Sequence, residues 1–504
     1  MDTLLEAMEQ HARARPQAAL IQTADAQISW GEFARQTALV AGQLVSKGAR
    51  RVGFFGDLSP IGVAAFWSVL RAGASIVPLP STQTADVLQM MAADSKVELV
   101  VATRAHAARA AEVFGGAPPD AELAVLDRRV GVWSPLTTVG DTTGELPRVL
   151  AAQEFNVIYS SGTTSTPKGV VHSHGARLAR TNSYAQRGFS DTSAVLVSTP
   201  IYSNWSVVAM ATCMRFGARM LLLEKFDAAQ FLDLAREGKA THAFMVPTQI
   251  VRCLSLADFD ARMGGQPLTK FCSGSHLRTD AKQECVERWA GTLYDLYGLT
   301  EGAVNTVLDV AAFPEKRDSV GKPGPGFEVL ILDANGAPAP VGEAGEIAGR
   351  SGAMMEGYLN REEETERITW RDPEGRRFLR TGDLGRLDED GFLYLAGRAK
   401  DMIISGGMNI YAKDLEEALH KQPGVIESAV VAAPDADWGE TPVAFVVAHG
   451  DIDVEALRVQ VNRTLARTHR IARIHLIDQL PRGTLDKVAK AELRQRLAAI
   501  EASG

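Results

Sequence analysis

The stretch from Phe155 to His174 holds the densest set of groups able to grip a phosphate. An apolar run, Phe155 to Tyr159, enters Ser160, Ser161, Gly162, Thr163, Thr164, Ser165 and Thr166. Pro167, Lys168 and Gly169 follow, and then a second apolar run. Small hydroxyl residues and glycine let backbone N–H and side-chain O–H groups surround an anion, and Lys168 adds positive charge. The spacing is not that of a G-x-x-x-x-G-K-[ST] loop. Composition alone leaves a flexible Ser/Thr/Gly hairpin equally open. Further along, Tyr297 and Gly298 precede Thr300 and Glu301. A single carboxylate suits Mg²⁺, a hard cation that takes few carboxylates plus nucleotide oxygens. The same residues would also make a good helix cap. In Thr381-Gly382-Asp383, a carboxylate accepting from two O–H donors would read a ribose; the tripeptide alone is only a turn signal. Lys487 closes the series, and the usual fate of a lysine is solvation at the surface.

The elements that must position these groups alternate. Ser29 to Glu32 reads as a capped helix start, Val52 to Gly56 as a buried strand, Ile61 to Ala72 as a helix and Ser75 to Leu79 as the next strand. Such alternation points to parallel sheets covered by helices. The stretch from Gly115 to Gly144, rich in Pro, Gly, Asp and Thr, reads as surface loop. Strand patterns return at Val195–Pro200, Arg219–Leu223 and Ala243–Pro247. Residues 320–398 change character. Short strands at Phe327–Leu332, Glu346–Arg350 and Gly391–Ala396, split by Gly-containing turns, suggest a small antiparallel region. From about Arg398 a compact unit restarts, with helix 412–421, strands 427–433 and 443–448, and helix 453–467.

A chain of 504 residues is too long for one hydrophobic core and implies at least two domains. With 46% hydrophobic and 23% charged residues it has an ordinary globular composition. The net charge of -8 argues against nucleic acid or an anionic membrane as the main partner. The four cysteines, Cys213, Cys253, Cys272 and Cys285, have no metal-ligand spacing and fit thiols in a reducing compartment. The N-terminus reads as an amphipathic helix, not a signal peptide, and no apolar run reaches the length of a membrane span. A cytoplasmic protein, monomer or homodimer, is expected.

In this order the segments resemble the adenylate-forming superfamily of acyl-CoA synthetases, adenylation domains and luciferases. They are most similar in character to aromatic acid:CoA ligases such as those for halogenated benzoates. The resemblance runs from Trp30-Gly31-Glu32 to Lys487. It implies an α/β fold: a large N-terminal domain, 1–398, of βαβ subdomains plus a small β-barrel-like region, and a small mobile α+β C-terminal domain, 399–504, hinged at Lys400. The implied reaction joins a carboxylic acid to coenzyme A. ATP first gives acyl-AMP and pyrophosphate with Mg²⁺, and the CoA thiol then gives acyl-CoA and AMP.

The resemblance also implies roles. Ser160, Ser161, Gly162, Thr163, Thr164 and Lys168 hold the β- and γ-phosphates. Tyr297 stacks on adenine beside Gly274, Ser275 and Gly298. Thr300 contacts the α-phosphate and carboxylate, Glu301 holds Mg²⁺, Asp383 and Arg398 bind the ribose, and Lys487 is the catalytic lysine of adenylation. Tyr202, Ser203, Asn204, Trp205, Val246, Ser273 and Ala303 line the acyl pocket. Gly406, Gly407 and Trp438 line the CoA tunnel, with Arg470 and Arg473 near its phosphates.

The chain departs from the family pattern at Ser165 and Asp486, where glycine is usual, and at Ser203, where an aromatic residue or histidine is common. Aromatic acid:CoA ligases, including those for halogenated benzoates, often deviate in a similar way at the position of Asp486. No acid stands where amino-acid adenylation domains bind an ammonium group, and no arginine in the pocket motifs marks a dicarboxylate. A compact aromatic or alicyclic acid is expected first, a short to medium fatty acid next. Loading of a carrier protein and a non-catalytic nucleotide-binding scaffold are the alternatives.

Overall fold

The computed structural model describes residues 2–140, 145–160, 167–398, 401–405, 408–435, 438–450, 452–465, 469–482 and 488–503. The chain divides into two compact units, Met1–Glu328 with Gly349–Leu379, and Val329–Ala348 with Arg380–Gly504. The expected boundary after residue 398 falls inside the second unit, and Lys400 lies outside the described residues.

Two large sheets build the first unit. One is a nine-stranded sheet centred on the parallel strands Arg219–Leu222, Ala194–Val197, His242–Met245, Thr269–Cys272 and Leu293–Gly298. Ala194–Val197 and His242–Met245 are buried at every position, as a parallel strand covered by helices on both faces requires. The other has eight strands. It carries the hairpin Glu154–Ser160 and Lys168–Ser173, with Gly357–Tyr358 antiparallel on the Lys168 strand. Helices start where a side chain can satisfy an orphan N–H. Ser29 accepts from Glu32 N at 3.2 Å, Ser59 from Gly62 N at 3.1 Å and Ser173 from Ala176 N at 3.2 Å.

The stretch 115–144, expected as loop, contains two strands: Leu123–Asp127 pairs antiparallel with Leu99–Thr103, and Val132–Leu136 pairs antiparallel with Leu123–Asp127. Leu123, Ala124, Val125 and Leu126 are each at most 1% exposed. Four consecutive buried apolar residues decide the structure there, and the flanking Pro and Gly only punctuate it.

A five-stranded sheet follows the order Phe327–Leu332, Gly345–Ser351, Arg377–Leu387, Thr369–Arg371, with Leu393–Arg398 on Arg377–Leu387. Thr381-Gly382-Asp383 lies inside the long Arg377–Leu387 strand and is no isolated turn. In the second unit, Met408–Ile410, Ile403–Ser405, Gly439–Ala448 and Val425–Asp435 form a further sheet, with Arg473–Leu476 parallel to Gly439–Ala448. Ile403, Ile410, Leu415, Leu419, Val430 and Ala444 make its core with the Ala412–His420 helix. All four cysteines are free and buried. Among the described residues no helix is long and apolar enough to cross a membrane.

Candidate active site

Open parallel sheets offer ligands the crevice beyond the carboxyl ends of their strands, and there the nine-stranded sheet gathers most of the residues expected to line an acyl pocket. Met245 is in register with Cys272, and Cys272 with Asp295. The residues that follow, Val246, Ser273 and Leu296, therefore end side by side. Ser273 Oγ donates to the Leu296 carbonyl at 3.1 Å, and Trp205 Nε1 donates to the Met245 carbonyl at 3.0 Å. Gly274 takes φ +106°, and a Cβ there would lie 3.4 Å from Val246 Cγ1. Ser203, buried, caps the Asn204–Phe216 helix by accepting from Ser206 N at 3.1 Å. The unusual serine thus has a local structural role, and it leaves half-buried Tyr202 and Asn204 on either side of the cap. Ser275 is exposed.

Tyr297 and Gly298 close the Leu293–Gly298 strand. The chain turns through Thr300 and Glu301 and returns antiparallel as Asn305–Asp309, with Tyr297 opposite Thr306 and Gly298 opposite Asn305. The alternative of a helix cap is thereby overturned: a hairpin, not a helix, carries Thr300 and Glu301. Ala303, 1% exposed, anchors the turn from below. Gly302 takes φ +73°, donates to the Leu299 carbonyl at 3.1 Å and accepts from Ser351 Oγ at 2.7 Å.

Ser160 and Lys168 are cross-strand partners. Ser161, Gly162, Thr163, Thr164 and Ser165 lie outside the described residues. Lys168 Nζ pairs with the Glu364 carboxylate and stands 5.1 Å from the centre of the Tyr358 ring. The Tyr358 hydroxyl donates to Glu301 Oε1 at 2.8 Å. Burial and the nearby carboxylates of Glu301 and Glu364 push the Tyr358 phenol well above its ordinary pKa, so it stays a neutral donor. The Lys168 ammonium holds Glu364 below the usual carboxylate range. Tyr358 and Glu364 thus link the phosphate-loop lysine to the expected metal carboxylate. No local motif announced them, because they sit some 190 positions beyond Lys168 in sequence.

A buried network supports the same turn from behind. His172, 2% exposed, bonds the Thr300 carbonyl through Nε2 at 2.8 Å. A carbonyl only accepts, so Nε2 carries the proton and Nδ1 accepts. Nδ1 faces Arg177 Nη2 at 3.2 Å and Asn156 Nδ2 at 3.3 Å. Burial and the Arg177 charge push the His172 pKa well below its ordinary value, which keeps the ring neutral. Arg177, 3% exposed, also donates from Nε to Asn156 Oδ1 at 2.7 Å and from Nη1 to Asn204 Oδ1 at 2.7 Å. Burial and then the charge of Arg180 bring its pKa down to about 9. The sequence reading assigned His172, Asn156 and Arg177 no role. The only hint was three polar residues beside an apolar hairpin.

In the second unit, Asp383, 9% exposed, is in register with Arg398 and pairs with its Nε at 3.3 Å. Thr381 Oγ1 accepts from Asp383 N at 3.0 Å and donates to the Ile347 carbonyl at 2.8 Å, which fixes the bend around Gly382. Ser405 pairs with Met408 across residues 406–407 and with Gly439, next to exposed Trp438. Gly406, Gly407 and Lys487 lie outside the described residues; Arg482 and Val488, flanking the last, form a β-bridge.

Residues 8–359 match the model of the AMP-binding enzyme family, and residues 414–487 match that of the AMP-binding enzyme C-terminal domain. The chain is 29% identical over 497 residues to feruloyl-CoA synthase from an Amycolatopsis species, covering 96% of this chain and 97% of that protein. It is 32% identical over 351 residues to 2-succinylbenzoate–CoA ligase from Bacillus cereus strain Q1, covering 68% and 70%. The crystal structure of ATP-bound MatB from Rhodopseudomonas palustris superposes with a TM-score of 0.81 at 28% identity, over 97% of this chain and 98% of that one.

Proposed function

The chain belongs to the AMP-binding enzyme family, and from that premise we propose that it is an ATP-dependent carboxylic acid:CoA ligase working through an acyl-adenylate. The observation that carries the reading is the linkage of Lys168, Tyr358 and Glu301 beside the Thr300 turn. It sets a cation from the Glu154–Ser160/Lys168–Ser173 hairpin beside the Glu301 carboxylate, which the turn between Leu293–Gly298 and Asn305–Asp309 carries.

Glu301 fits a Mg²⁺ ion. Oε1 is oriented by Tyr358, and among the described residues Oε2 has no protein partner, which leaves a hard oxygen free. When bound, Mg²⁺ would supply charge neutralisation to the phosphates. Lys168 has to leave Glu364 to meet the β- and γ-phosphates. Thr300, held from behind by His172, orients the carboxylate against the α-phosphate. Lys487 offsets the charge that develops as the carboxylate attacks and pyrophosphate leaves. Asp383 and Arg398 take the ribose hydroxyls. In the second half-reaction a C-terminal domain beginning after residue 398 turns about Lys400, withdraws Lys487 and brings Gly406, Gly407 and Trp438 to guide the CoA thiol.

The acid is an aromatic one in this reading. Feruloyl-CoA synthase and 2-succinylbenzoate–CoA ligase, both similar over most of this chain, support that choice. The decisive test uses Lys487→Ala. Acid-dependent ATP–pyrophosphate exchange should vanish while thioester formation from supplied acyl-adenylate persists. Normal exchange in this variant would remove Lys487 from the mechanism.

A further inference from the structure

The helix His174–Asn182 brings two arginines, Arg177 and Arg180, beneath the segments assigned to the acyl pocket. Arg177 is 3% exposed, yet its hydrogen-bond partners are all neutral: Asn156, Asn204 and His172. Among the described residues no carboxylate pairs with it. A guanidinium has five N–H groups, and these three bonds leave two unused. Arg180, one turn on, donates to Ser183 Oγ at 2.8 Å, to Asn305 Oδ1 at 2.9 Å and to the Tyr184 hydroxyl at 3.3 Å, again with no carboxylate among the described residues.

Buried charge is costly unless it is paired, and two like charges a turn apart raise that cost. A folded chain that tolerates both is short of an anion. A second observation points the same way. Asn305, 1% exposed and opposite Gly298, spends its oxygen on Arg180 and leaves Nδ2 without any partner. Asn204, at the head of the Asn204–Phe216 helix, likewise gives its oxygen to an arginine, Arg177. One buried cation, one half-buried cation and one orphan amide donor thus stand at Asn204 and Asn305, beside the segments where the acyl group is expected.

We infer that the acid carries a second anionic group, a carboxylate or comparable oxyanion, and that Arg177, Arg180 and the Asn305 amide receive it. The inference rests on the ligase reading and narrows its substrate class to dianionic acids. A planar guanidinium fork suits such oxyanions, because two parallel N–H groups match two oxygens.

The test uses the full-length protein with succinate, glutarate, phthalate and terephthalate, each beside its monomethyl ester. Two measurements run in parallel: acid-dependent ATP–pyrophosphate exchange, and binding by thermal shift without ATP. The expected result is a kcat/KM at least about 100-fold higher for one diacid than for its ester, since a site built to pair a polar group rejects the analogue lacking it. Arg177→Lys and Arg180→Gln should collapse that ratio at least tenfold, mainly through KM of the diacid. Should Arg177→Lys fail to fold, Arg180→Gln carries the same expectation by itself. Equal use of diacid and ester, or losses in the variants that are equal for both, would overturn the inference and leave the ligase standing. Arginine-dependent binding of a diacid with no exchange from any acid would instead reject the ligase reading and keep the anion site.

Discussion

Gly302→Ala should disable the enzyme with little harm to the fold. Gly302 follows Glu301 and takes φ +73°, a conformation that costs a residue with a Cβ about 1–2 kcal/mol. The larger effect is local. A Cβ at this position would overlap the Ala353 carbonyl, a backbone atom that cannot swing aside. Relief demands a displacement of about 1.4 Å or more, shared between the two segments, to restore ordinary van der Waals separation. The turn has little room for it: Glu301 O accepts from Met355 N at 2.8 Å and Gly302 O accepts from Ser351 Oγ at 2.7 Å. The shift therefore passes into Thr300 and Glu301. A misplacement of about 1 Å near reacting groups costs on the order of 100-fold in rate, or about 2.7 kcal/mol of barrier. The assay is kcat/KM in acid-dependent ATP–pyrophosphate exchange. Gly264→Ala is the control: its φ is +55°, it caps the Phe259–Met263 helix, and a Cβ there meets nothing within 4 Å. It should lose stability without losing rate. Gly302→Ala within threefold of wild type would refute the claim that this turn positions the chemistry.

Two further outcomes follow from the electrostatics. Glu364→Gln releases Lys168 from its ligand-free partner, and since partly exposed pairs contribute about 0.2–1 kcal/mol, KM for ATP should fall by about 1.5- to 5-fold; an unchanged or higher KM would show that the pair does not compete with nucleotide. His174 is 1% exposed, and burial lowers its pKa from 6.5 to about 4. Between those values the unfolded chain binds a proton that the folded chain refuses. Stability contributed by the neutral ring is thus full above pH 6.5 and falls by about 1.4 kcal/mol per pH unit down to about 4. His174→Phe should flatten the pH dependence of urea unfolding over that window by the same slope, whereas an unaltered slope would mean that His174 is protonated in the folded protein.

Much of the reaction was legible in the chain because its groups are held by local motifs. A run of hydroxyls ending in Lys168, the Thr300–Glu301 pair and Asp383 lie within a few residues of the elements that present them, so their order along the sequence is enough to suggest a nucleotide, a metal carboxylate and a ribose reader. The strand patterns were read for the same reason: apolar runs such as Val195 to Val197 carry their own burial. The failures have physical causes too. Leu123 to Leu126 were hidden by Pro and Gly around them, and Thr381-Gly382-Asp383 looked like a turn because its strand partners are remote in sequence.

What the sequence by itself determined is the chemistry of activation and the order of the parts that perform it. What only the tertiary structure decided is which distant side chains complete each group. Glu364 reaches Lys168, Tyr358 reaches Glu301, and Arg177 and Arg180 gather against Asn204 and Asn305 with no carboxylate among the described residues to balance them. Helix and strand periodicity constrain neighbours a few residues apart. Whether a buried charge finds a counter-ion depends on packing between segments that no local pattern encodes.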